Sequence, residues 1–334
     1  MKQILGIGKL PNDILEKLVL DKLPPRRGDV LLHAAIGEDC TAVDFKKYAC
    51  VLSSDPITGA VKNIGRLSVH ISCNDLAACG CEPVGVLFTL LAPVGATGDE
   101  ISNIMEDAAI ACNSMNVEIL GGHTEVTDAV NRFVISTTAV GRIIKDKLIS
   151  TNGSKCGDCV LITKYPAIEG TAVVASDFET ELVPVIGQLI VDEAKTLIDK
   201  ISVVNEGLIG ASIGVSSMHD ITEGGVLGAA WEMAKTSGHG IRIDLTKLEL
   251  LHSTDLICNY FKLDPYRLIS SGSMMMTVSE ALVSELQAEL SENGINSFKI
   301  GQMTAEKVFS FYNGSIWQPI DPPGADELFK LLHK

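Results

Sequence analysis

The chain has 334 residues, of which 46% are hydrophobic and 21% charged, and a net charge of −15. That length suits two domains better than one, and the balance is that of a globular α/β chain. No apolar run is long enough to span a bilayer, the start Met1-Lys2-Gln3-Ile4-Leu5-Gly6 lacks the apolar core of a signal peptide, and the acidic balance disfavours a nucleic-acid surface, so a cytoplasmic protein with neither membrane nor nucleic-acid partner is expected.

Strand-length apolar runs alternate with helical patterns along the chain. Residues 30–36, 48–53, 84–91, 117–120 and 132–142 read as strands of a first domain. Residues 64–80 and 99–115 read as helices, the second with Ile101, Ile104, Met105, Ala108 and Cys112 at helical spacing. Thr151-Asn152-Gly153-Ser154-Lys155 is polar and turn-rich, and marks a seam between domains 1–150 and 151–334. Beyond it the pattern predicts a strand over 159–163, a helix over 188–200, a strand entering His219 and a helix over 225–235. A strand over 274–278 and a helix over 280–293 complete the reading. The expected class is α+β, with two domains of similar design.

The nine cysteines are an odd count and argue against a disulfide framework. Cys156-Gly157-Asp158-Cys159 has no second ligand pair for zinc and precedes a strand rather than a helix, so these thiols read as small buried hydrophobes. The same holds for Cys79-Gly80-Cys81.

Five short words carry chemistry: Gly37-Glu38-Asp39-Cys40, Ser53-Ser54-Asp55, Asn74-Asp75-Leu76-Ala77-Ala78, Gly121-Gly122-His123-Thr124-Glu125 and His219-Asp220-Ile221-Thr222-Glu223-Gly224-Gly225. Asp75 shares a helical stripe with Leu67, Ile71 and Ala78, where an unpaired carboxylate costs several kcal/mol or so. A helix cap or a buried salt bridge would account for it; so would a metal or a metal-bound phosphate. Asp39 and Asp55 each follow an apolar run and alone suit turns. With Asp75 they offer the oxygen ligands that magnesium takes. Ser53 and Ser54 add hydroxyls. Gly121-Gly122 either ends a strand where backbone N–H groups approach a ligand, or forms a hairpin turn. In the last word Asp220 or Thr222 could cap the helix, whose N-terminus would bind an anion. Gly6-Ile7-Gly8-Lys9 lacks the spacing of a P-loop.

Taken in order, from about Gly37 to Gly301, these words resemble the superfamily of aminoimidazole ribonucleotide (AIR) synthase. It also holds thiamine-monophosphate kinase, selenophosphate synthetase and the hydrogenase-maturation protein HypE. The pair Asn74–Gly80 and His219–Gly225 is the specific part, and Ile64-Gly65-Arg66-Leu67 leans toward the hydrogenase-maturation branch. The resemblance implies a homodimer with a shared β-barrel from the N-terminal domains and an α/β C-terminal domain. It further implies that magnesium-bound ATP sits between subunits and that an oxygen of a small-molecule or protein substrate is phosphorylated. By matching motif, Asp39, Asp55, Asp75 and Asp220 look like metal ligands, with Asp75 and Asp220 catalytic. Ser53, Ser54, Gly121, Gly122, Thr124, Arg142, Thr222 and Glu223 look like nucleotide contacts, and Lys62 matches a phosphate-contacting position loosely. Two departures stand out. His123 occupies the place of an acid after the paired glycines, which leaves Glu125 to substitute or one metal position lost. The sequence ends Leu328-Phe329-Lys330-Leu331-Leu332-His333-Lys334, not in the Pro-Arg-Ile-Cys tail that carries the group dehydrated in that branch.

Overall fold

The computed structural model describes residues 10–24, 26–58 and 63–331, so Lys62 and the Gly6–Lys9 run lie outside the described residues. The first half contains α1 (Asn12–Leu18), β1 (Val30–Leu32), β2 (Thr41–Phe45), β3 (Tyr48–Ile57) and α2 (Ile64–Ala78). It continues with β4 (Glu82–Pro93), α3 (Gly98–Ser114), β5 (Glu118–Thr127) and β6 (Val134–Ile144). The strands form one six-stranded sheet in the order β1-β2-β3-β6-β4-β5. Neighbours are antiparallel except β4 and β5, which are parallel because α3 carries the chain back between them.

Local chemistry explains where these helices sit. A capping box starts α3: the Thr97 hydroxyl accepts from the Glu100 N–H while the Glu100 carboxylate accepts from Thr97. Helix α2 is buried almost all round, lying on one face of the sheet with α3 beside it. Gly65 permits that approach, since a Cβ there would lie 2.2 Å from the Ile104 carbonyl oxygen.

The second half holds β7 (Cys159–Thr163), α4 (Ile168–Asp177), α5 (Glu179–Ile186), α6 (Gln188–Thr196), α7 (Val204–Ile213), β8 (Ser217–Ile221) and α8 (Gly225–Ser237). Then come β9 (Gly240–Asp244), α9 (His252–Phe261), β10 (Ser273–Val278), α10 (Val283–Glu292), β11 (Ser297–Thr304), β12 (Phe309–Tyr312) and β13 (Trp317–Pro319). Its seven-stranded sheet has the order β13-β12-β9-β11-β7-β10-β8. Strands β7, β8 and β10 are buried at every residue, as their continuous apolar runs require.

The two halves share a core. Leu76 and Val86 of the first cluster with Leu161, Met218, Met274 and Met276 of the second. Asn74 ties them through hydrogen bonds: its amide donates to the Ile201 carbonyl at 2.7 Å, and its oxygen accepts from the Val203 N–H at 2.8 Å.

The 151–155 stretch, expected as a turn-rich seam, is a packed turn in which Thr151 and Ser154 are buried and the Ser217 hydroxyl donates to the Thr151 carbonyl. Several other expectations need correction. Gly121 and Gly122 neither end a strand nor make a hairpin; they lie inside β5, paired with Leu87 and Phe88. Gly122 has a φ of 150°, and a Cβ on it would strike the Phe88 carbonyl, so the parallel ladder runs through a position only glycine fits. Asp220 lies within β8 opposite Met274, and α8 begins after Gly224 with no side-chain cap, so neither Asp220 nor Thr222 caps it. Instead the Gly224 N–H donates to Asp326. Cys156 is exposed, against the expectation of buried thiols, while Cys79, Cys81 and Cys159 are buried.

Candidate functional site

Four elements drawn from both halves bring carboxylates together. Asp39 stands on the loop before β2, Asp55 on β3, Asp75 on α2 and Asp220 on β8. Ser53 and Asp55 project from the same face of β3, two residues apart, toward α2. The Ser53 hydroxyl donates to Asp75 in a short contact and lies 3.4 Å from Asp55 Oδ2. On the other side of the cluster, Asp39 Oδ2 and Asp220 Oδ1 lie 3.4 and 4.0 Å from Nδ1 of His219.

The electrostatics follow from burial and crowding. Asp75 is pushed well above the usual carboxylate range, first by desolvation and then by the charges of Asp220, Asp55 and Asp39. Burial raises Asp220 to about 7, with Asp39 adding to the shift and His219 opposing it. For His219, burial works to lower the imidazole, but the Glu232 hydrogen bond and the Asp39, Glu232 and Asp220 charges outweigh it and hold it at about 9. Both oxygens of Asp220 are buried without a hydrogen-bond partner among the described residues. An ionised carboxylate in that state is costly, and a cation is what offsets the cost. The donor set of carboxylates, a hydroxyl and an imidazole fits a divalent ion.

The sequence reading named His219 only within its motif, without a role, and did not name Glu232. Nε2 of His219 lies 3.0 Å from Glu232 Oε2, and both side chains are buried. The available signal was Glu232 itself, the one acid within the buried apolar run of α8 from Gly225 to Ala234. Glu38 joins the margin of the cluster, accepting from the Ser150 hydroxyl at 2.8 Å.

Other residues named from the motifs lie elsewhere within the chain. Ser54 and Arg142 occupy the sheet face turned away from α2, because they alternate with Ser53 on β3 and with the buried Gly141 on β6. There Ser54 meets the Thr138 hydroxyl at 2.8 Å, and the Arg142 guanidinium sits 5.1 Å from the Tyr48 ring centre. Gly121, Gly122 and Thr124 are exposed on the edge strand β5. His123 and Glu125, on the same strand, pair with each other at 3.0 Å. Thr222 and Glu223 form the half-buried turn after β8, where the Thr222 carbonyl accepts from Gly225 and Ser270. A further buried acid lies at the start of α4: Glu169, whose Oε2 has no hydrogen-bond partner among the described residues, is raised to about 7 chiefly by burial.

Comparison with known proteins bears on the family and the fold. Over 312 residues the chain is 28% identical to a candidate hydrogenase expression/formation protein of Methanocaldococcus jannaschii, covering 90% of this chain and 89% of that one. It is 25% identical over 316 residues to the carbamoyl dehydratase HypE of Rhodobacter capsulatus, covering 90% and 88%. Among solved structures, a HypE–HypF complex superposes with a TM-score of 0.77 at 21% identity, covering 93% of this chain and 99% of that one. A HypE in complex with ATP superposes with a TM-score of 0.68 at 18% identity, covering 84% and 87%. At those identities the two structures show a shared fold. Residues 37–143 match AIR synthase related protein, N-terminal domain, and residues 155–313 match AIR synthase related protein, C-terminal domain. With both halves matched in their family order, the chain belongs to the AIR synthase related family.

Proposed function

We propose that the protein is a magnesium-dependent, ATP-using enzyme that phosphorylates a carbonyl, amide or similar oxygen, in hydrogenase or other metallocentre maturation. The observation that carries this reading is the convergence of Asp39, Asp55, Asp75 and Asp220 from four elements, with Asp220 buried and without a hydrogen-bond partner among the described residues. The similarity to HypE proteins, one of them in complex with ATP, supports the nucleotide and the maturation setting. Asp39, Asp55, Asp75 and Asp220 would hold magnesium, which when bound neutralises charge on a transferred phosphoryl group. Ser53 orients Asp75 through its hydroxyl, and the Asn74 hydrogen bonds hold α2 in place between the halves. The domains we propose meet at residues 150 and 151.

A homodimer belongs to this reading. The sheet face away from α2 is open and largely apolar, with Phe45 and Leu87 exposed and Leu52 and Val140 half-buried. Pairing two such faces would cover them and place Ser54 and Arg142 of each subunit at the junction. A second reading, a nucleotide-binding partner protein without catalysis, is favoured by the closed His123–Glu125 pair on β5. The test is calorimetry of ATP binding with magnesium and with chelator, followed by phosphate release. Native protein should bind ATP only with magnesium, and Asp75→Ala should lose both binding and release without unfolding. Equal ATP binding by the two proteins, or none by either, would overturn the assignment; binding without any phosphate release would select the partner-protein reading.

A further inference from the structure

The carboxylate cluster contains a nitrogen that an all-oxygen magnesium site has no use for. Asp39, His219 and Asp220 each place one ligand atom so that all three lie within 4.8 Å of one another. An octahedral ion with bonds of about 2.1 Å sets neighbouring ligand atoms about 3 Å apart and opposite ones about 4.2 Å apart. The separations from His219 Nδ1, 3.4 Å to Asp39 and 4.0 Å to Asp220, lie in that range.

The imidazole is also held as a ligand is held. Nε2 meets the buried Glu232 carboxylate at 3.0 Å, an arrangement that puts an N–H on Nε2 and turns Nδ1 to the two aspartates. Nδ1 and both oxygens of Asp220 are buried and have no hydrogen-bond partner among the described residues. These buried atoms of β8 in the second half meet the Asp39 carboxylate, which the loop before β2 brings from the first half. A carboxylate fixed behind a histidine is the outer support typical of metal-bound imidazoles.

We propose that Asp39, His219 and Asp220 form a mixed nitrogen–oxygen site for a transition-metal dication, Zn2+ or, more weakly, Mn2+, in preference to Mg2+. Imidazole suits Zn2+, and Mn2+, although it favours oxygen, accepts a nitrogen ligand more readily than Mg2+, so it serves as the spectroscopic probe of the site. On entry the ion takes the place of the Nδ1 proton, which leaves to solvent. This rests on the reading that the cluster holds metal, and adds that one of its positions is selective. Glu232 is a positioning residue that acts through His219.

The test uses the full chain, freed of metal by chelator and dialysis and then loaded with Mn2+ alone. Electron spin-echo spectroscopy should show coupling from one directly bound nitrogen. His219→Gln should abolish that coupling and lower the Mn2+ to Mg2+ affinity ratio by about tenfold or more, while Glu232→Gln should weaken Mn2+ by about tenfold and keep the nitrogen signal. Asp220→Asn should weaken both ions. Mn2+ binding without nitrogen coupling, with an unchanged ratio in His219→Gln, would overturn the inference and leave the metal–nucleotide reading standing. If neither ion binds the native protein, with or without ATP, both fail. Should His219→Gln not fold, the nitrogen signal in native protein and in Glu232→Gln decides the matter alone.

Discussion

Replacing Asp220 by Asn should stabilise the metal-free protein while removing its response to metal. Burial and the Asp39 charge, opposed by His219, move this carboxyl from an ordinary 3.8 to about 7. A gap of about 3 units, at about 1.4 kcal/mol each, corresponds to a penalty on the order of 4 kcal/mol when the group is ionised. Between about pH 4 and pH 7 the folded chain keeps a proton that the unfolded chain has already released. Stability from this group therefore falls as pH rises through that window, and the full penalty applies above it. Asn carries no charge, so its advantage should be close to zero at pH 4 and largest at pH 8. Urea unfolding in chelator, followed by tryptophan fluorescence, measures it, since Trp231 lies on α8 in the same half as Asp220. Added magnesium and ATP should then stabilise the native protein by mass action and leave the variant unchanged. An Asn variant that is less stable at pH 8, or equally more stable at pH 4 and pH 8, would refute the account of Asp220 as an uncompensated buried charge.

Glu169→Gln should behave likewise at a separate place. Burial, opposed by hydrogen bonds from Ser271, moves Glu169 from 4.5 to about 7, so the variant should gain about 3 kcal/mol above pH 7 and nothing below pH 4.5, as read from urea midpoints. A gain that does not change with pH would count against it. Leu87→Arg, on the open sheet face, should convert a dimer to a monomer in sedimentation without loss of helical content; an unchanged mass would place any interface elsewhere.

The order and type of most elements in the first half were legible in the residues because periodicity is local. Leu67, Ile71 and Asp75 share a stripe by spacing alone, and Asp75 is indeed buried, as a 3.6-residue repeat against a packed sheet requires. The strand through Gly121 and Gly122 was not legible, since glycines read as a break until the parallel partner β4 is known. Helices α4, α7 and α9 went unread: Glu169 and Glu206 are buried in the first turns of α4 and α7, where acids read as surface.

What the sequence by itself determined is the set of chemical groups, their local periodicity and a motif order specific enough to point to a family. What only the tertiary structure decided is which of those groups meet. Asp220 and Asp75 are brought into one electrostatic cluster, while the adjacent residues Ser53 and Ser54 are sent to opposite faces of a sheet. The His219–Glu232 pair depends on how α8 folds back over β8, and His219 meets Asp39 only where a loop of the first half packs on the second. Side-chain alternation is set by neighbours in the chain. Convergence is set by strand register and helix packing over long separations, and the cost of burying charge acts on the result only once those are in place.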